Sequence, residues 1–74
     1  MFRVAIAGCG SIAAVHAKVL DALPETELIA CCDIRRERAE ALAKAYAMRA
    51  YENLQELVEK ETTDAVHLCT PQML

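Results

Sequence analysis

Three short apolar runs constrain this chain more than anything else in it: residues 3–7 (RVAIA), 28–32 (LIACC) and 65–69 (AVHLC). None alternates apolar with polar residues. Each therefore reads as a strand buried on both faces, which requires a parallel sheet covered by helices. The segments between the runs have helical periodicity. After Ser11 the residues Ile12, Val15, Val19, Leu20 and Leu23 recur at helical spacing and Pro24 closes the segment, predicting a helix over 11–23 with these side chains on its apolar face. Asp33 stops the second run. A second helix then carries Ala39, Leu42, Ala43 and Tyr46 on one face, and Arg35, Arg36, Glu37, Arg38, Glu40 and Lys44 largely on the other. Residues 49–51 are long enough only for an edge strand. Asn53 followed three residues later by Glu56 matches a capping box, which predicts a third helix running on through Leu57 and Val58. Thr70-Pro71 halts the last strand.

This alternation is that of right-handed βαβ units, so the fold class is α/β, with a parallel sheet in the order 3-2-1-4 and three helices. That is about one mononucleotide-binding half of a doubly wound sheet. With 74 residues the chain is one domain, and no repeat, linker or low-complexity segment divides it. Hydrophobic residues make up 55% of the sequence but aromatics only 4%, so the core is aliphatic. The net charge of -3 excludes the basic footprint that would neutralise nucleic-acid phosphates or anionic lipid, which leaves a small molecule as the expected ligand. No stretch approaches the roughly 20 apolar residues of a membrane span, and the apolar run at the N-terminus is too short for a secretory signal. Cys9, Cys31, Cys32 and Cys69 show no C-x-x-C pairing and have no ligand spacing to His16 or His67, so reduced thiols in cytoplasm and no metal site are expected. His16 is read as a helix-packing residue and His67 as a hydrogen-bonded residue within the last strand.

The chemistry lies at the first turn, where Gly8-Cys9-Gly10-Ser11-Ile12-Ala13 follows a strand and opens a helix. Gly8 permits the sharp turn, and Gly10 lets backbone approach a diphosphate. The small Ala13 allows close helix–strand packing. The free N–H groups at the helix start, with the positive end of its dipole, suit the anion. Asp33, at the end of the second strand and about 20 residues beyond the loop, stands where a dinucleotide site places an acid to accept from an adenosine ribose hydroxyl. A helix N-cap is the competing reading of Asp33, and a turn without ligand that of the glycines.

With VAIAGCGSIAAVHA, LIACCDIRRERAEALAKAY, YENLQELVE and TDAVHLCTP in place, nearly the whole chain resembles the N-terminal part of the NAD(P)-dependent oxidoreductases that include glucose-fructose oxidoreductase and inositol 2-dehydrogenase. The resemblance implies a Rossmann-like cofactor domain. Gly8, Gly10, Ser11, Ile12 and Ala13 would line the dinucleotide phosphates, with Cys9 contributing its backbone N–H. Asp33 with Arg35 or Arg36 would meet the ribose, and Thr70 and Pro71 would pass beside the nicotinamide. NAD is the implied cofactor, with NADP as the alternative because the arginines could pair with a 2′-phosphate. The family's motif continues to a His and later to Glu-Lys-Pro, both beyond Leu74, so a fragment without catalytic residues of its own is expected. Its substrate would be a sugar, polyol or related small molecule, and its last strand, left at a sheet edge, would invite self-association. A standalone nucleotide-binding module remains the second reading. An S-adenosylmethionine-dependent methyltransferase is the third, disfavoured by Thr70-Pro71 and by the lack of an acid before Gly8.

Overall fold

The structure, a computed structural model, describes residues 1–69; Thr70 and Pro71 lie outside the described residues. The chain runs β1 (Phe2–Ala7), α1 (Ser11–Asp21), β2 (Thr26–Cys32), α2 (Arg36–Tyr46), β3 (Arg49–Tyr51), α3 (Leu54–Lys60), β4 (Ala65–Leu68). The four strands are parallel and ordered β3-β2-β1-β4, as expected. The central pair β1 and β2 is buried from Val4 and from Leu28 onward. β4 departs from the reading of a fully buried strand. Among the described residues it pairs only with β1, so its residues are half-buried and Leu68 is exposed.

The sheet separates two cores. On one face α1 and α2 cover Val4, Ile6, Leu28 and Cys31 with Ala13, Ala17, Ala39, Leu42 and Ala43. On the other, α3 lays Leu57 across Ala5, Ala7, Ile29, Ala30 and Cys32. Leu57 is 0% exposed and is the only large helical side chain buried on that face among the described residues. Asn53 caps α3 by accepting from the Glu56 N–H at 2.8 Å, as the capping box predicts.

The strands are not strictly alternating. Val4 pairs with Leu28 but Ala5 pairs with Ala30, so Ile29 is an extra residue in β2. Ile29 and Ala30 consequently both belong to the α3 side, where a regular strand would split them.

The apolar stripe expected on α1 is overturned. Ile12, Val15 and Val19 are 59%, 62% and 59% exposed, Leu23 is exposed too, and the residues in contact with the sheet are Ala13 and Ala17, with Leu20 partly buried. The contact line of α1 is made by the methyl groups of Ala13 and Ala17, and the branched side chains beside them turn outward. α1 also ends at Asp21 rather than at Leu23. The Ala22 and Leu23 amides donate to Val19 and Leu20, tightening the last turn before Pro24. On α2 the expected face holds, with Ala39, Leu42 and Ala43 buried and Tyr46 packed at the margin. That helix ends on Ala47 in the left-handed conformation, φ 57°, a position glycine would occupy without strain.

Candidate functional site

β1 delivers the chain to the C-terminal end of the sheet, and Gly8 turns it with φ 94°, a conformation side chains disfavour. The turn is fastened to the neighbouring strand: Gly8 N–H donates to the Cys32 carbonyl at 2.8 Å, and Cys9 N–H to Asp33 Oδ2 at 2.8 Å. Gly10 is the N-cap of α1 in an extended conformation, φ −82°. An added Cβ there would meet nothing nearer than Arg38 Nη1, at 3.8 Å, so no neighbour in the protein itself requires a glycine at position 10. α1 has no side-chain cap and no acid in its first turn, which leaves the positive end of its dipole unneutralised by its own residues.

These features border an open cleft of about 590 Å³. One wall is the turn, from Gly8 to Ile12. The other wall is Asp33, Ile34, Arg35 and Arg38, with Cys69 also on the lining. Asp33 holds the two walls together, because its Oδ1 accepts from Arg35 N–H at 2.8 Å while Oδ2 accepts from Cys9. Burial raises its pKa, but the Arg35 and Cys9 amides and the charges of Arg38 and Arg35 outweigh that and hold the carboxyl below its ordinary value. It is ionised at neutral pH. Asp33 is not the N-cap of α2, which is Arg35; its side chain instead fastens the residue that starts the helix.

The residues singled out from sequence separate into groups. Gly8, Cys9, Gly10, Ser11, Ile12, Asp33 and Arg35 border one cleft. Ala13 lies beneath it, fully buried against the sheet. The Cys9 N–H, expected to face a phosphate, is taken by Asp33. Arg36 is not on the lining. It is the first residue of α2 and turns toward the end of β3, where it pairs with Glu52 at 2.9 Å; Glu40, one turn along α2, is 4.0 Å away. Its place is taken by Arg38, which the helical pattern had assigned to the solvated face. The signal in the sequence was only its spacing of three residues from Arg35, and reading that spacing requires knowing where α2 begins. The Cys9 thiol is buried and donates to the Cys32 carbonyl at 3.3 Å, and the neighbouring Cys31 thiol, then burial, push its pKa up. His16 and His67 meet across the α1 face of the sheet, with His67 Nε2 2.7 Å from His16 Nδ1.

A strand, a positive-φ glycine, an uncapped helix start and an acid at the next strand's end are the parts of a dinucleotide site, and comparison with known proteins agrees. The profile described as oxidoreductase family, NAD-binding Rossmann fold, matches residues 2–74. The chain is 34% identical over 59 residues to glucose-6-phosphate 3-dehydrogenase of Bacillus subtilis (strain 168), covering 80% of this chain and 17% of that protein. It is 37% identical over 71 residues to D-glucoside 3-dehydrogenase of Escherichia coli (strain K12), covering 93% and 20%. Among solved structures it is similar to the WlbA dehydrogenase from Bordetella pertussis in complex with NADH and UDP-GlcNAcA, with TM-score 0.89 and 28% identity over 95% of this chain and 22% of that one. The chain thus spans about a fifth of the length of the curated relatives it matches. No helix of the described residues is long and apolar enough to cross a membrane. With fold, turn and profile in agreement, the chain belongs to the oxidoreductase family whose cofactor domain is the NAD-binding Rossmann fold.

Proposed function

We propose that the cleft binds NAD as the cofactor-binding part of a dehydrogenase acting on a sugar, polyol or sugar derivative, in keeping with the substrates named for the relatives. The observation that carries this reading is the uncapped start of α1 facing a cleft whose opposite wall holds an ionised acid. The backbone N–H groups of Ser11, Ile12 and Ala13 would donate to the diphosphate, and Gly10 would let it come close. Arg38, beside Gly10, adds positive charge to the same place. Asp33 would accept from the adenosine ribose hydroxyls. Thr70 and Pro71 would continue past β4 toward the nicotinamide half. When bound, the cofactor supplies hydride transfer to or from a carbinol carbon of the substrate. Within these residues the chain's part is to bind, orient and select the cofactor.

An ionised Asp33 repels a 2′-phosphate, so NAD is preferred over NADP. Arg35 and Arg38 on the same wall favour the second reading, NADP, by offering that phosphate a partner. Calorimetric titration with NADH and NADPH separates the two: tighter NADH supports the acid, tighter NADPH the arginines, and no binding of either would refute the site. The four free thiols suit a reducing compartment, the cytoplasm. β4, paired on one side with Leu68 69% exposed, would serve as a self-association edge in this chain. Sedimentation at two concentrations tests that.

A further inference from the structure

We propose that His16, His67 and Cys69 form a binding site for a soft divalent transition-metal ion, of which Zn²⁺ is the best match. The fold makes this set, since no motif spacing does. β4 lies beside β1 beneath α1, which brings His67 to His16 from 51 positions away, and Cys69 stands two residues beyond His67, on the same side of the strand. The Cys69 N–H donates to the Ala7 carbonyl at 2.7 Å, so the pairing with β1 continues past the end of β4 and fixes the backbone that carries the thiol. One donor atom from each of the three side chains lies within 4.8 Å of the other two, and all three residues are half-buried.

Two imidazoles and a thiolate are ligand types that select Zn²⁺ over the hard cations, which prefer oxygen. With Zn–N near 2.0–2.1 Å and Zn–S near 2.3 Å, a tetrahedral ion separates its ligand atoms by about 3.3–3.6 Å. His67 Nε2 and His16 Nδ1, now 2.7 Å apart, would open by less than about 1 Å, and the sulfur would close by a similar distance, within the reach of side-chain rotation. Three protein ligands leave a fourth position for water, the arrangement of open rather than purely structural zinc sites. Cys69 also borders the dinucleotide cleft, so the ion would sit beside the Gly8–Cys9 turn and would tie α1 to the free edge of the sheet. The competing arrangement is the one the imidazoles already make: a hydrogen bond between the two rings, with the thiol as a bystander.

Titration of the reduced chain with Co²⁺, followed by absorption, distinguishes the two. A site of this composition gives a thiolate-to-cobalt charge-transfer band and the intense visible bands of four-coordinate cobalt, saturating at one equivalent and abolished by Zn²⁺. Cys69→Ser should remove the charge-transfer band. His16→Gln and His67→Gln should each weaken Co²⁺ binding by more than the roughly 10- to 100-fold that loss of an outer-shell partner costs. His16→Gln, on α1 and outside the sheet, keeps the test valid if the strand variants do not fold. Absence of the band with wild-type protein, a band that survives Cys69→Ser, or affinity unchanged by His16→Gln would each overturn the proposal.

Discussion

Replacing Gly10 by Val isolates what that glycine is for. The N-cap backbone, φ −82°, is open to a branched residue, and an added Cβ meets nothing nearer than the Arg38 guanidinium at 3.8 Å. The folded state should therefore lose only the difference between a tolerated and a poor N-cap, about 1 kcal/mol. For a domain of this size that lowers the melting temperature by about 4–8 °C. Cofactor binding should suffer far more, because the side chain stands where a diphosphate would approach the α1 amides. A hydrogen bond to a charged group contributes about 1.5–3 kcal/mol, so losing one weakens binding by about 10- to 100-fold. With NADH at 100 times the wild-type Kd, ligand binding stabilises the wild type by about 2.7 kcal/mol. That raises its melting temperature by about 11–22 °C. A variant with 100-fold weaker affinity would gain only about 0.4 kcal/mol and rise by about 2–3 °C. Thermal melts of both proteins with and without NADH read these shifts directly. If the NADH-induced rise in the variant equals that of the wild type, the diphosphate does not approach position 10 and the placement is wrong.

Three other outcomes follow from the same structure. Asp33→Ser should raise the ratio of NADPH to NADH affinity by at least about tenfold at low salt, since a repulsive charge leaves while Arg35 and Arg38 remain; calorimetry with both cofactors measures it. Leu57→Ala removes the large helical side chain buried on the α3 side of the sheet and should cost about 2–5 kcal/mol, enough to lower the urea midpoint severely in so small a domain. Glu61 is held down to about 2 from its ordinary 4.5 by its bond to Arg49, against the opposing effect of burial and with help from Tyr51. Because the folded value is the lower one, its contribution is present above about pH 4.5 and is lost as the pH falls toward 2; acid titration of stability should show that slope, and Glu61→Gln should flatten it.

Much of this arrangement was legible because local signals agreed with one another. Continuous apolar runs imply strands with both faces covered, Asn53 with Glu56 marks a helix start, and the parallel crossovers leave little freedom in strand order. Asp33 follows β2 where the apolar run stops, but the contact its carboxylate makes with the Cys9 amide of the turn has no local signal in the sequence. What was not legible depended on distances between elements. Periodicity finds an apolar stripe on α1 but not which side of the helix meets the sheet, and the alanines, not the valines, are the contact residues. The exchange of Arg36 for Arg38 has a similar origin. Two positions along a helix are about 200° of rotation, so the arginine that meets the cleft is set by where α2 begins. The meeting of His16 with His67 involves residues 51 apart, which no local pattern encodes.

The extra residue in β2 gives the sheet something like a reading frame. Upstream of it Thr26, Glu27 and Leu28 are in step with Phe2, Arg3 and Val4; downstream Ala30, Cys31 and Cys32 are in step with Ala5, Ile6 and Ala7, and the inserted Ile29 absorbs the difference. Because side chains alternate with a period of two, a shift of one position turns every later residue to the opposite face. Deleting Ile29 would therefore straighten the strand and keep the frame: Leu28 and Ala30 would follow one another opposite Val4 and Ala5, on opposite faces, and Asp33 would stay in phase with the Cys9 amide it accepts from. A codon lost at this position would be silent at the cleft, whereas a second residue gained between Ala30 and Cys32 would have no counterpart in β1 and would carry Asp33 out of step.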